Sequence, residues 1–168
     1  MARFESRNIS GADVPAPREA IWEAVTSPAC LTELTPLIER IDSLGDLWTW
    51  QLKSVSALGV HAEPSFTEQM TFDEGRTMTF QHRPPAGKAE RAGAVGTYTL
   101  ADVPDGVTHL EVDLTLHVEL PLPSLSRRAV ERVMATMMAR TGEQFAANLY
   151  AHLGIAKAPG PILSRTGS

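Results

Sequence analysis

The sequence has one cysteine, Cys30. An internal disulfide is excluded, and so is an iron–sulfur or zinc centre built on grouped thiolates. Basic charge is in deficit: Lys and Arg number 15 against 20 Asp and Glu, a formal net charge of -5. Binding a polyanion normally needs a basic surface, so nucleic acid is not an expected partner. Long apolar runs are also missing. Met1 to Ser10 lacks the apolar core of a signal peptide, and no run is long enough to span a bilayer. The expectation is a cytoplasmic protein with no integral membrane segment. No Ser-His-Asp arrangement, phosphate loop or nucleotide fingerprint is visible. His109 and His117 lie too far apart on one strand to share a metal, so neither metal nor cofactor is expected.

What the chain does have is alternation. With 168 residues and 43% hydrophobic content it can build one domain with a sizeable core. Arg3 to Ser10 reads as a weak first strand. A helix follows with Pro17 at its first position, Glu19 in its first turn, and an apolar stripe of Ile21, Trp22 and Val25. Ser27-Pro28 reads as the N-cap and first residue of a second short helix carrying Leu31 and Leu34, stopped by Pro36.

Strands dominate from Leu37 to Leu120. Trp48, Trp50 and Leu52 alternate with polar residues. So do Phe66, Glu68, Met70 and Phe72, then Met78, Phe80 and His82, then the even positions from Leu110 to Leu120. Asp73-Glu74-Gly75 reads as a three-residue hairpin loop that sets Phe72 opposite Arg76, Met70 opposite Met78 and Glu68 opposite Phe80. Pro104-Asp105-Gly106 reads the same way, with Tyr98 opposite Val112 and Gly96 opposite Leu114. A glycine there leaves room for a ligand or a bend. Ser124 or Ser126 caps a long helix ending near Gly154, with Val130, Val133, Met134, Met137, Met138, Thr141, Phe145 and Leu149 on its apolar stripe. Residues 155–168 bury little and read as a flexible tail beyond a domain of residues 1–154.

Val14-Pro15-Ala16-Pro17-Arg18-Glu19-Ala20-Ile21-Trp22 resembles the first helix of the START-related, helix-grip superfamily known as SRPBCC. Ser27-Pro28 through Pro36 resembles its second helix. Phe66-Thr67-Glu68-Gln69-Met70 and Gly96-Thr97-Tyr98-Thr99-Leu100 look like two of its central strands. The resemblance implies an α+β helix-grip fold. About six or seven antiparallel strands would wrap a long C-terminal helix, with two short helices after the first strand. It also implies a ligand cavity between sheet and helix.

The residues expected to line that cavity are Trp48, Trp50, Phe66, Glu68, Met70, Phe80, His82, Tyr98, Leu114, Met134, Met138 and Phe145. Two indoles on one face can stack on a ring system. The methionines adapt to irregular shapes. Glu68 is the sharpest residue, because alternation places a carboxyl among apolar side chains, where it must be paired or protonated. His82 falls one diagonal step away on the same face. Three functions compete. The first is binding of a hydrophobic small molecule, whether lipid, sterol-like or aromatic and polyketide-like. The second is a polyketide cyclase or dehydratase using Glu68 and His82 as acid and base. The third is a co-chaperone or interaction module with a filled interior. The loop from His82 to Gly93 is long enough to cover a cavity mouth.

Overall fold

The computed structural model describes residues 1–166. Strand β1 (Ala2–Val14) leads into helices α1 (Arg18–Thr26) and α2 (Pro28–Leu34). Strands β2 (Ile38–Leu44), β3 (Leu47–Leu52), β4 (Val55–Ala57), β5 (Val60–Ala62), β6 (Ser65–Asp73), β7 (Thr77–His82), β8 (Ala92–Val103) and β9 (Val107–Leu120) follow. A short 3-10 turn, Ser124–Ser126, opens helix α3 (Arg127–His152), and β10 (Leu163–Thr166) ends the described chain.

Ser27 caps α2 through its hydroxyl, which accepts from the Cys30 amide, and Pro28 supplies the first helical residue. Pro17 precedes α1 as its N-cap rather than opening it. Ser126 stands at the N-cap of α3, but its side chain makes no capping bond.

Eight strands form one antiparallel sheet in the order β10-β1-β9-β8-β7-β6-β3-β2, and β4 and β5 make a separate hairpin. The sheet is larger than the six or seven strands expected. One addition comes from the tail, where Leu163–Thr166 pairs with Asn8 to Gly11 of β1. Gly167 and Ser168, also assigned to that tail, lie outside the described residues. Because β1 pairs with β9 and β2 lies at the other edge, α1 and α2 carry the chain across the sheet between them.

The β8–β9 hairpin has the expected register, with Tyr98 opposite Val112 and Gly96 opposite Leu114. The β6–β7 hairpin does not. Asp73 pairs with Thr77, Met70 with Phe80 and Glu68 with His82. The loop is therefore Glu74-Gly75-Arg76. A slide by one residue on each strand leaves the inward and outward faces unchanged, so alternation alone could not detect it.

Gly96 works by close approach. A Cβ there would lie 2.0 Å from the Asp113 carbonyl oxygen and 2.9 Å from the Phe80 ring. The missing side chain lets β9 backbone and an aromatic ring meet at that point rather than leaving space for a ligand.

Candidate functional site

The sheet and α3 enclose a cavity of about 140 Å³. Seven of the eight sheet strands, all but β10, send residues to it. A sheet that reaches one hollow from so many strands must bend around it. Trp50, Phe66, Glu68, Phe80, Tyr98 and Leu114 come from the strands, and Met138 and Phe145 from α3. Tyr98 meets Phe80 and Phe145 edge to face, at ring-centroid distances of 5.9 and 6.4 Å. These pairings fix the aromatic walls.

Four residues expected to line the cavity lie elsewhere. Trp48 packs in an aromatic cluster with Trp50 and Phe72, and Phe72 in turn meets Trp22 of α1. Met70 is core packing, 2% exposed. Met134 faces a second, smaller cavity of about 80 Å³ beneath the β4–β5 hairpin. The two cavities share Leu52 and Leu116 as common wall.

His82 is the fourth. Its Nε2 lies 2.9 Å from Glu90 Oε2, and its ring meets His117 edge to face at 5.0 Å. Glu90 also accepts from the Thr67 amide and hydroxyl, both at 2.8 Å. Gly93 makes the histidine pair possible, because a Cβ there would sit 2.5 Å from both rings. His117 is 8% exposed. Burial is the main reason its pKa falls below the usual histidine value.

The cavity has few polar groups, and three of them are unsatisfied. Trp50 Nε1, Glu68 Oε1 and Thr35 Oγ1 are buried with no hydrogen-bond partner among the described residues. All three residues line the cavity. A buried polar group left unpaired costs on the order of 1–3 kcal/mol, so three around one hollow is an unusual concentration. Glu68 is 1% exposed. Burial pushes its carboxyl well above the usual carboxylate range, and the Glu90 charge pushes it further. Burial also raises the Tyr98 phenol, with the Glu68 charge adding to it. Both shifts favour the protonated forms, so a carboxyl, a phenol, an indole N–H and the Thr35 hydroxyl share a largely apolar wall with Asn8, Ser10 and Thr141.

The alternating strands announced the sheet side of this site. They did not announce Thr35 and Leu37, which enter from the connection after α2, or Ile38, which opens β2. Those residues belong to no periodic pattern. Glu90, the partner of His82, lies in a loop and gave no signal either. Cys30 is half-buried, 3.6 Å from His152 Nε2. Burial, then the Glu33 charge, raises its thiol pKa, which does not suit a nucleophile. Among the described residues no group of three or more His, Cys, Asp or Glu is placed to hold a metal. No helix among them is long and apolar enough to cross a membrane.

An antiparallel sheet bent around a hollow and closed by one long C-terminal helix defines the helix-grip, START-like class. The chain belongs to the polyketide cyclase / dehydrase and lipid transport family, whose model matches residues 1–154. Its fold is similar to that of a START superfamily protein from Mycobacterium smegmatis, at 16% identity and a TM-score of 0.63 over 90% of this chain and 99% of that one. It is also similar to the Zhui aromatase/cyclase from Streptomyces sp. R1128, at 12% identity and a TM-score of 0.62 over 91% and 94%. A conserved protein from Geobacillus kaustophilus has 14% identity and a TM-score of 0.63 over 92% and 97%. At these identities the likeness concerns the fold. No match was found among curated proteins.

Proposed function

We propose that this protein binds a small, largely apolar molecule in the cavity between the sheet and α3. The observation that carries the proposal is the concentration of unpartnered polar atoms on Trp50, Glu68 and Thr35 in one otherwise apolar hollow. Ligand sites are commonly built this way, with an apolar wall and a few convergent polar groups. Trp50, Phe66, Glu68, Phe80, Tyr98, Leu114, Met138 and Phe145 form the binding wall in this reading, which is set in the cytoplasm and involves no nucleic acid.

Volume narrows the occupant. An apolar cavity of about 150 Å³ holds benzene, whereas drug-sized ligands occupy roughly 300 Å³ or more. The 140 Å³ of this cavity favours one ring over a sterol or a two-chain lipid. A larger ligand requires α3 or the β4–β5 hairpin to move outward. The test is isothermal titration calorimetry with p-cresol against the intact protein and an Ala94→Leu variant. Ala94 is buried in the cavity wall, so leucine fills the space. The expected result is one-to-one binding to the first and none to the second. Absence of binding to the intact protein, with no organic compound extractable from it, contradicts the proposal.

A second reading, turnover of a polyketide-like substrate, is favoured by one observation. A carboxyl whose burial favours its protonated form suits a general acid. Glu68 would donate the proton, with Tyr98 rather than His82 as its neighbour. Unchanged turnover of a candidate substrate by a Glu68→Gln variant would sink this reading.

A further inference from the structure

We infer that the cavity selects an uncharged ring compound bearing a carbonyl or hydroxyl oxygen, and rejects carboxylates of the same shape. The inference rests on the proposed binding role and adds the chemical class of the occupant.

Three observations carry it. First, Trp50 is 7% exposed and its Nε1 has no partner among the described residues. An indole nitrogen only donates, so its complement is a lone pair on the ligand. Second, Glu68 Oε1 is equally unpartnered at 1% exposure. A neutral carboxyl both donates and accepts, which matches either a hydroxyl or a carbonyl oxygen. A hydrocarbon of the same shape would leave both groups without a partner. Third, none of the residues lining the cavity is Lys, Arg or His. A ligand carboxylate would enter an apolar hollow with no counter-charge, beside an acidic side chain. Such a transfer is strongly unfavourable. The volume allows one ring, as argued above, so the oxygen sits directly on it or one atom away.

Three nearly isosteric probes separate these contributions: acetophenone, cumene and benzoate. Each is titrated into the full chain at pH 7 by calorimetry. Acetophenone should bind roughly tenfold more tightly than cumene, the gain expected from one or two hydrogen bonds. Benzoate should bind at least tenfold more weakly than acetophenone. In a Trp50→Phe variant the acetophenone-to-cumene ratio should fall toward one. If that variant fails to fold, the three titrations on the unaltered protein still decide. Cumene binding as tightly as acetophenone overturns the inference and leaves the cavity proposal standing. So does benzoate binding as tightly as acetophenone. Failure of all three to bind overturns both.

Discussion

Glu68 and His82 face each other across β6 and β7 as a register pair, yet no hydrogen bond joins them among the described residues. Glu68 lines the cavity with a free Oε1, while Nε2 of His82 is held 2.9 Å from Glu90. Two residues of opposite acid-base character thus serve different neighbourhoods. One is an isolated acid in an apolar hollow. The other is part of a polar cluster that fastens a loop.

The isolation of Glu68 sets a pH dependence. Its folded pKa is raised by burial and then by the Glu90 charge. Below the ordinary carboxylate pKa the group is protonated in both folded and unfolded chains, and pH makes no difference. As pH rises above that value the unfolded chain releases its proton and the folded chain keeps it. Stability attributable to this group therefore falls with rising pH, until the folded carboxyl itself ionises. The slope is at most about 1.4 kcal/mol per pH unit for one proton. A Glu68→Gln variant should match the parent in acid and exceed it near neutrality. Urea denaturation from pH 4 to 8 checks this. Parallel curves for the two proteins would show that the carboxyl is ionised at low cost.

Glu90 anchors the loop between β7 and β8. It accepts from the Thr67 amide, the Thr67 hydroxyl and His82, and its side chain is 12% exposed. Hydrogen bonds to a charged group are worth about 1.5–3 kcal/mol each, though losses within one cluster do not add. A Glu90→Ala variant should lose roughly 2–3 kcal/mol of stability. It should also gain tryptic cleavage at Lys88 or Arg91. Unchanged proteolysis would mean that the loop is held by something else.

Gly96 tolerates no side chain. A Cβ at this position would stand 2.0 Å from the Asp113 carbonyl oxygen, so a Gly96→Ala change must push two strands apart. Overpacking usually costs about 1–3 kcal/mol, and a clash against backbone belongs at or above the upper end. Thermal denaturation should show a clear drop in midpoint. Little change would mean that β8 and β9 separate easily here.

Much of this fold could be read from alternation and turn chemistry. Leu110 and its even-numbered successors fixed one long strand, and Pro104-Asp105-Gly106 fixed the register against Tyr98 and Gly96. Asp73-Glu74-Gly75 misplaced the other hairpin because a period of two is blind to a slide that keeps faces intact. Alternation also grouped His82 with Glu68. It sits at the end of its strand, where a loop carboxylate and the absent side chain of Gly93 offered it a different setting. Neither is a periodic signal. Thr35 and its neighbours were hidden for the same reason: the cavity is closed by a connection, and connections follow no repeat. Met134 and Met138 share one helix face, but one turn of α3 separates the two hollows.

The most direct test of the binding cavity is a crystal of the full chain soaked with 4-bromophenol and measured at the bromine absorption edge. An anomalous peak between Phe66, Tyr98 and Phe145, with the phenol oxygen within hydrogen-bonding reach of Trp50 Nε1 or Glu68, is the predicted result. Bromine found only at the surface, with the Trp50 and Glu68 side chains filling the hollow themselves, would contradict it.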